Sequence, residues 1–74
     1  MEYTLGARTH VRVVVYDLLG RHVTTLVDET QSAGDHATSW DGTDAEGNPS
    51  PTGVYFYRIE TKYFRTAKKM MLLK

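Results

Sequence analysis

Cysteine is absent from this 74-residue chain. Disulfides, thiolate metal sites and cysteine nucleophiles are therefore excluded. The absence does not fix a redox compartment, because an exported protein can simply lack cysteine. No apolar run approaches the ~18 residues of a membrane-spanning helix. Nor is there an excess of one charge: nine Lys+Arg balance nine Asp+Glu, which argues against a nucleic-acid partner that needs a broad basic footprint. No signal-peptide pattern opens the sequence, since Met1-Glu2-Tyr3 leads straight into a strand-like stretch. The expectation is a cytoplasmic protein or a module cut from a longer one. What is present is a globular composition, 41% hydrophobic and 24% charged, unlike that of a disordered segment. The length supports one small domain, 1–74. Such a domain buries only about 60% of its unfolded surface, and chains under ~70–80 residues often depend on a disulfide, a metal or a partner.

The charges balance in number but not along the chain. Residues 22–57 hold six acids (Asp28, Glu29, Asp35, Asp41, Asp44, Glu46) and no Lys or Arg. Residues 58–74 hold six bases (Arg58, Lys62, Arg65, Lys68, Lys69, Lys74) and one acid, Glu60. One reading is a sticky basic tail. The other is that the basic end pairs with the acidic middle, or coats an edge strand against aggregation.

Apolar and β-branched residues recur with a period of two, the signature of strands. Val11, Val13 and Val15 alternate with Arg12, Val14 and Tyr16, giving a strand at 10–17. Asp17-Leu18-Leu19-Gly20-Arg21 reads as a turn, with Gly20 free to take positive φ. A second arm follows at 22–27. There Val23 and Leu26, three apart, face one way only through a bulge or a twist. A third strand is expected at 35–40, with His36, Thr38 and Trp40 on one face. Residues 41–53 are dense in turn formers. An aromatic-rich strand occupies 54–61, Lys62-Tyr63 makes a tight connection, and 64–73 closes the chain. Tyr3 to Leu5 adds a short opening strand, and no stretch supports a helix. The fold class is therefore all-β, a small antiparallel immunoglobulin-like sandwich of about six to seven strands. The expected core is Val11, Val13 and Val15 facing Trp40, Tyr55, Tyr57 and Ile59, completed by Val23, Leu26, Met70 and Leu72. Trp40 is expected to be the largest single burial; the other reading of it is an exposed platform for sugar rings.

Little in the chain carries catalytic chemistry. Serines and histidines occur, but no nucleophile elbow does, and Asp35 and His36 point to opposite faces of a strand. His10, His22 and His36 match no metal-ligand spacing. The weak calcium candidate is the turn acids Asp41, Asp44 and Glu46, oxygen donors of the right kind in the wrong order for an EF-hand loop. The plainer role of Asp41 is to cap its own turn. Asn48-Pro49-Ser50 is barred from glycosylation by its proline. Phe56, Phe64, Tyr16 and Tyr63 are left as an aromatic face for carbohydrate or for a neighbouring domain. The chain is expected to be no enzyme and to carry no cofactor.

Val11-Arg-Val-Val-Val-Tyr-Asp17, Gly20-Arg21, Val23 to Leu26, Ala33-Gly34, Trp40-Asp41-Gly42, Asp44, Gly47 and Pro51-Thr-Gly53-Val-Tyr55 occur in this order. Together they resemble FlgD-like immunoglobulin-type domains. The closing Lys68-Lys-Met-Met-Leu-Leu-Lys74 is similar to the end of C-terminal sorting domains of the bacterial type IX secretion system. The resemblance implies a β-sandwich at the C-terminus of a larger exported protein, often a hydrolase. Its partners would be the parent catalytic domain, the outer-membrane secretion machinery and a sortase-like protease. The implied location is the periplasm in transit, then the cell surface or the extracellular space. Carried over by position, the recognition residues are Lys68, Lys69, Met70, Leu72 and Lys74, with the turn motif on Pro51, Gly53 and Tyr55 and the hairpin motif on Asp17 and Gly20. Thr38 departs from the aliphatic residue more usual in the family. The implied mechanism is a Lys-flanked last strand pairing backbone to backbone with a receptor. The alternatives are a FlgD-like accessory domain packed on a neighbouring enzyme domain, and a carbohydrate-binding module.

Overall fold

A computed structural model describes residues 1–73. It contains six strands in chain order: β1 (Glu2–Leu5), β2 (Thr9–Asp17), β3 (His22–Gln31), β4 (Gly34–Ala37), β5 (Gly53–Thr61) and β6 (Arg65–Leu72). They form two antiparallel sheets, β1-β4 and β3-β2-β5-β6. No helix is present among the described residues. This is the all-β, two-sheet architecture that the period-two pattern demands.

The valine run makes β2 the centre. Flanked by β3 and β5, it has no solvent edge, and β-branched side chains suit a pleated, buried surface. Val11, Val13 and Val15 are fully buried on the inner face, opposite Thr61, Ile59 and Tyr57 of β5. Val14 faces the other way yet is only 1% exposed. Arg58 stands directly opposite it on β5, its guanidinium 4.8 Å from the centre of the Tyr16 ring and 2.8 Å from Glu60 Oε1. The outer face thus has its own small covered centre.

The inner face is covered unequally. At one end, Tyr3 and Leu5 of β1 join Val11, Val13 and Ile59 in the core, with Met1, Leu26, Val27 and Tyr57 packed against it. At the other end no strand covers the sheet. The segment 38–52 does so instead, with Trp40 meeting Tyr55 edge-on at 4.9 Å and Gly42 buried against Leu72. The bulge at Val23 and Leu26 occurs as the spacing requires. The β2–β3 register slips twice, leaving Leu26 and Val23 without a partner on β2. The slip at Val23 also places its carbonyl to accept the Ala45 amide at 3.0 Å, which ties the covering segment to the sheet.

Three expectations are corrected. β3 continues to Gln31 rather than ending at 27, because β2 offers partners as far as Thr9. The third strand ends at Ala37 rather than Trp40, because β1 supplies only four partner residues. Trp40 is therefore half-buried and not the largest burial; the fully buried side chains are the four valines of β2. Val23, Leu26, Tyr57, Met70 and Leu72 are also half-buried.

Candidate functional site

The residues singled out in the sequence fall into turns, a corner and an edge strand. In the hairpin turn, Asp17 Oδ1 accepts the amides of Leu19 (3.0 Å) and Arg21 (2.9 Å), while Arg21 Nε donates to Oδ2 at 2.7 Å. The Asp17 amide donates to the Arg21 carbonyl and the Gly20 amide to the Asp17 carbonyl, with Gly20 at φ 84°. Residues 44–48 repeat the Oδ1 and backbone bonds of this arrangement, without the Arg21 ion pair. Asp44 Oδ1 accepts the amides of Glu46 (3.0 Å) and Asn48 (2.9 Å), the Asp44 amide donates to Asn48, and the Gly47 amide donates to Asp44 with φ again 84°. The chain thus builds one Asp-x-x-Gly-x turn twice. The two copies share just Asp and Gly, too little to mark the second in sequence.

Asp41 makes a third carboxylate-capped turn. Its Oδ1 accepts the Thr43 hydroxyl at 2.6 Å and the Thr43 amide at 3.0 Å. These bonds, the hydroxyl first, hold the Asp41 carboxyl below the usual carboxylate range. The Arg21 amide, foremost among the groups around Asp17, does the same there. The turn acids are thus occupied with backbone, and Asp41, Asp44 and Glu46 do not converge. Among the described residues no group of three or more His, Asp or Glu side chains is placed to hold a metal. The histidines are scattered: His10 pairs with Asp28, His22 with Thr25, and His36 stacks on Tyr3 while donating to the Ser32 carbonyl. Burial pushes the Tyr3 phenol up, and its hydrogen bond to Gln31 offsets this only in part.

Pro51, Gly53 and Tyr55 form the corner into β5. The buried Tyr55 hydroxyl donates to the Pro51 carbonyl at 2.6 Å. A tyrosine near the start of a strand, bonded back to backbone a few residues upstream, is the tyrosine corner of immunoglobulin-like sandwiches. The aromatic face does not form. Tyr16 and Phe56 are paired across the middle of the outer face, whereas Tyr63 and Phe64 lie at the far end. There, with Leu5, Ala7 and Thr61, they line an apolar hollow of about 340 Å³.

Lys68, Lys69, Met70 and Leu72 lie on β6, an edge of the larger sheet; Lys74 lies outside the described residues. Lys68 stands opposite Tyr57 on the inner side and Lys69 opposite Phe56 on the outer. The acidic residues Asp28 and Glu29 are on β3, at the opposite edge. Asp28 and Glu29 are therefore kept apart from Lys68 and Lys69, and among the described residues no ion pair joins the acidic middle to the basic end. The edge-coating reading of the charge asymmetry is the one the fold supports.

The model of the FlgD Ig-like domain family matches residues 2–63 of the chain. The chain belongs to the FlgD Ig-like domain family. Its structure is also similar to the crystal structure of FlgD from P. aeruginosa, with 30% identity and a TM-score of 0.74 over 95% of this chain and 54% of that one. The chain thus spans about half the length of that FlgD. Among curated proteins none matches. Of the two resemblances seen in the sequence, the comparisons carry the FlgD one, and nothing in them carries the sorting one. The family match stops before β6, so Lys68, Lys69, Met70 and Leu72 lie outside it. The capped turns, the tyrosine corner and the valine strand give several of the FlgD-like motifs a structural role, and a FlgD-like Ig domain is a non-catalytic kind of module.

Proposed function

We propose that this FlgD-like domain is an accessory module that packs against a neighbouring domain. The observation that carries the reading is an apolar patch at the hairpin end of the sandwich. Leu18 (66% exposed), Leu19 (77%) and Met71 (63%) stand in solvent there. Leu18 and Leu19 share a hollow with Val54, and Val54 faces Met71 across the β5–β6 ladder. Exposed apolar groups gathered in one place mark a partner surface. That the matching FlgD has nearly half of its chain beyond the matched part agrees with a domain working beside another.

The second reading is sorting and surface attachment of an exported parent through β6, recognised by the type IX machinery and its sortase-like protease. In its favour, β6 is an unpaired edge carrying Lys68 and Lys69, open to strand addition by a receptor. A bulky tag fused after Lys74 of the parent separates the two. An accessory module tolerates the tag, whereas a sorting signal fails and leaves the parent in the cell envelope. Failure of surface display with the tag, reproduced by deletion of residues 68–74, would overturn the accessory reading.

A further inference from the structure

The two free edges of the larger sheet are complementary. Past its two bulges, β3 runs regularly from Val27 to Gln31 and carries Asp28 and Glu29. The ladder of β6 on β5 has no register shift, and β6 carries Lys68 and Lys69. The order β3-β2-β5-β6 with antiparallel neighbours makes β3 and β6 run in opposite directions. A second copy placed beside the first in the same orientation therefore offers its β3 antiparallel to the first copy's β6.

From this arrangement we infer that the β6 edge takes the β3 edge of a second copy of this chain. One register satisfies every row. It sets Asp28 opposite Lys69, Glu29 opposite Lys68, and Val27 opposite Met70. The sidedness agrees as well. Asp28 stands opposite the outward Arg12 and Lys69 opposite Phe56, on the outer face. Glu29 and Val27 stand opposite Val11 and Val13, and Lys68 and Met70 opposite Tyr57 and Tyr55, on the inner face. A slip by one residue would break both agreements at once. The like-edge alternatives are disfavoured: β6 on β6 brings lysines together and β3 on β3 brings carboxylates together, and like charges directly opposite destabilise a sheet. The contact is head-to-tail and does not close on itself, so copies add in a row. Its five-residue ladder is small, and the bulges at Val23 and Leu26 keep it from lengthening. The association is therefore weak and concentration-dependent. Asp28 exchanges His10 for Lys69 when it forms. The inference stands apart from the accessory role, which uses the hairpin end.

Sedimentation velocity of the whole chain tests it. At low ionic strength the sedimentation coefficient is expected to climb with concentration. Raising salt from about 0.01 M to about 1 M shortens the screening length from about 30 Å to about 3 Å, and the association constant is expected to fall about tenfold or more. Two charge-reversed chains, Lys68→Glu/Lys69→Glu and Asp28→Lys/Glu29→Lys, are each expected to stay monomeric, and their mixture to associate again. All four positions are exposed, and circular dichroism checks that each variant is folded. A wild-type chain monomeric at every concentration and salt overturns the inference, independently of the variants. So does a mixture that stays monomeric, or a wild-type chain that binds an acidic β-strand peptide but not itself.

Discussion

The Tyr55 hydroxyl ties the Pro51 corner to β5, and Tyr55→Phe isolates the worth of that bond. The ring stays in place and the Pro51 carbonyl loses its donor. The expected loss is about 1–2 kcal/mol, read as a lower urea midpoint; an unchanged midpoint would make the corner dispensable. The capping carboxylates act differently, through pH. Asp17 and Asp41 both ionise below the usual range in the folded chain, so the unfolded chain binds more protons in mild acid. Their contribution is complete above about pH 4 and fades as the pH drops through the folded-state values. The Asp17→Asn/Asp41→Asn chain should show a flatter decline of urea midpoint below about pH 4 than wild type; equal slopes would mean other carboxylates set the acid limit. At this scale the Asp17–Gly20 turn and the capping role of Asp41 were legible, since each depends on neighbours in the chain. The bond from Tyr55 to Pro51 was not, since the motif marks the residues but not which way a hydroxyl turns. The Asp44–Gly47 copy was hidden by lying inside a long run of turn formers, where it looked like ligand chemistry.

Strand β2 shows what alternation can and cannot say. Val11, Val13 and Val15 were readable as one face, and the bulge at Val23 and Leu26 followed from their spacing. The burial of Val14 did not follow, because it depends on Arg58, which is distant in sequence and held over Tyr16. Strand ends depended on partners in the same way. β3 gained its last residues from Thr9 to Arg12, and β4 lost Thr38 to Trp40 because β1 is short. Since β2 is the element both neighbours rest on, Val13→Ala should cost about 2 kcal/mol from two lost methyl groups and the cavity they leave. Thermal or urea unfolding checks this, and a loss under about 0.5 kcal/mol would mean the centre collapses around the gap. That cost is a large share of the about 5–15 kcal/mol that holds a small domain together.

For the whole molecule, the even charge total hid its most informative feature. Asp28 and Glu29 lie on one edge of the larger sheet and Lys68 and Lys69 on the other, which composition cannot show and strand order can. The fold class was readable throughout, while the choice between the two resemblances rested on comparison with known proteins, because both imply the same sandwich. The unequal sheets carry one more consequence, in time. The β2–β3 hairpin closes across a turn of a few residues and can form in about 1–10 μs. The long-range ladders must meet their loop-closure entropy before any contact rewards them. Of these, β1–β4 offers four residue pairs against seven in β2–β5, so the small sheet has the least to gain on docking and should dock last. Leu5→Ala is expected to speed unfolding and leave the folding rate nearly unchanged, whereas Val13→Ala should slow folding. Stopped-flow chevrons distinguish these outcomes, and a slowed folding arm for Leu5→Ala would place β1 in the nucleus instead. If β1 does dock last, the chain spends its final folding step with Val11, Val13 and Ile59 uncovered, and that brief interval is when it is most open to misassembly.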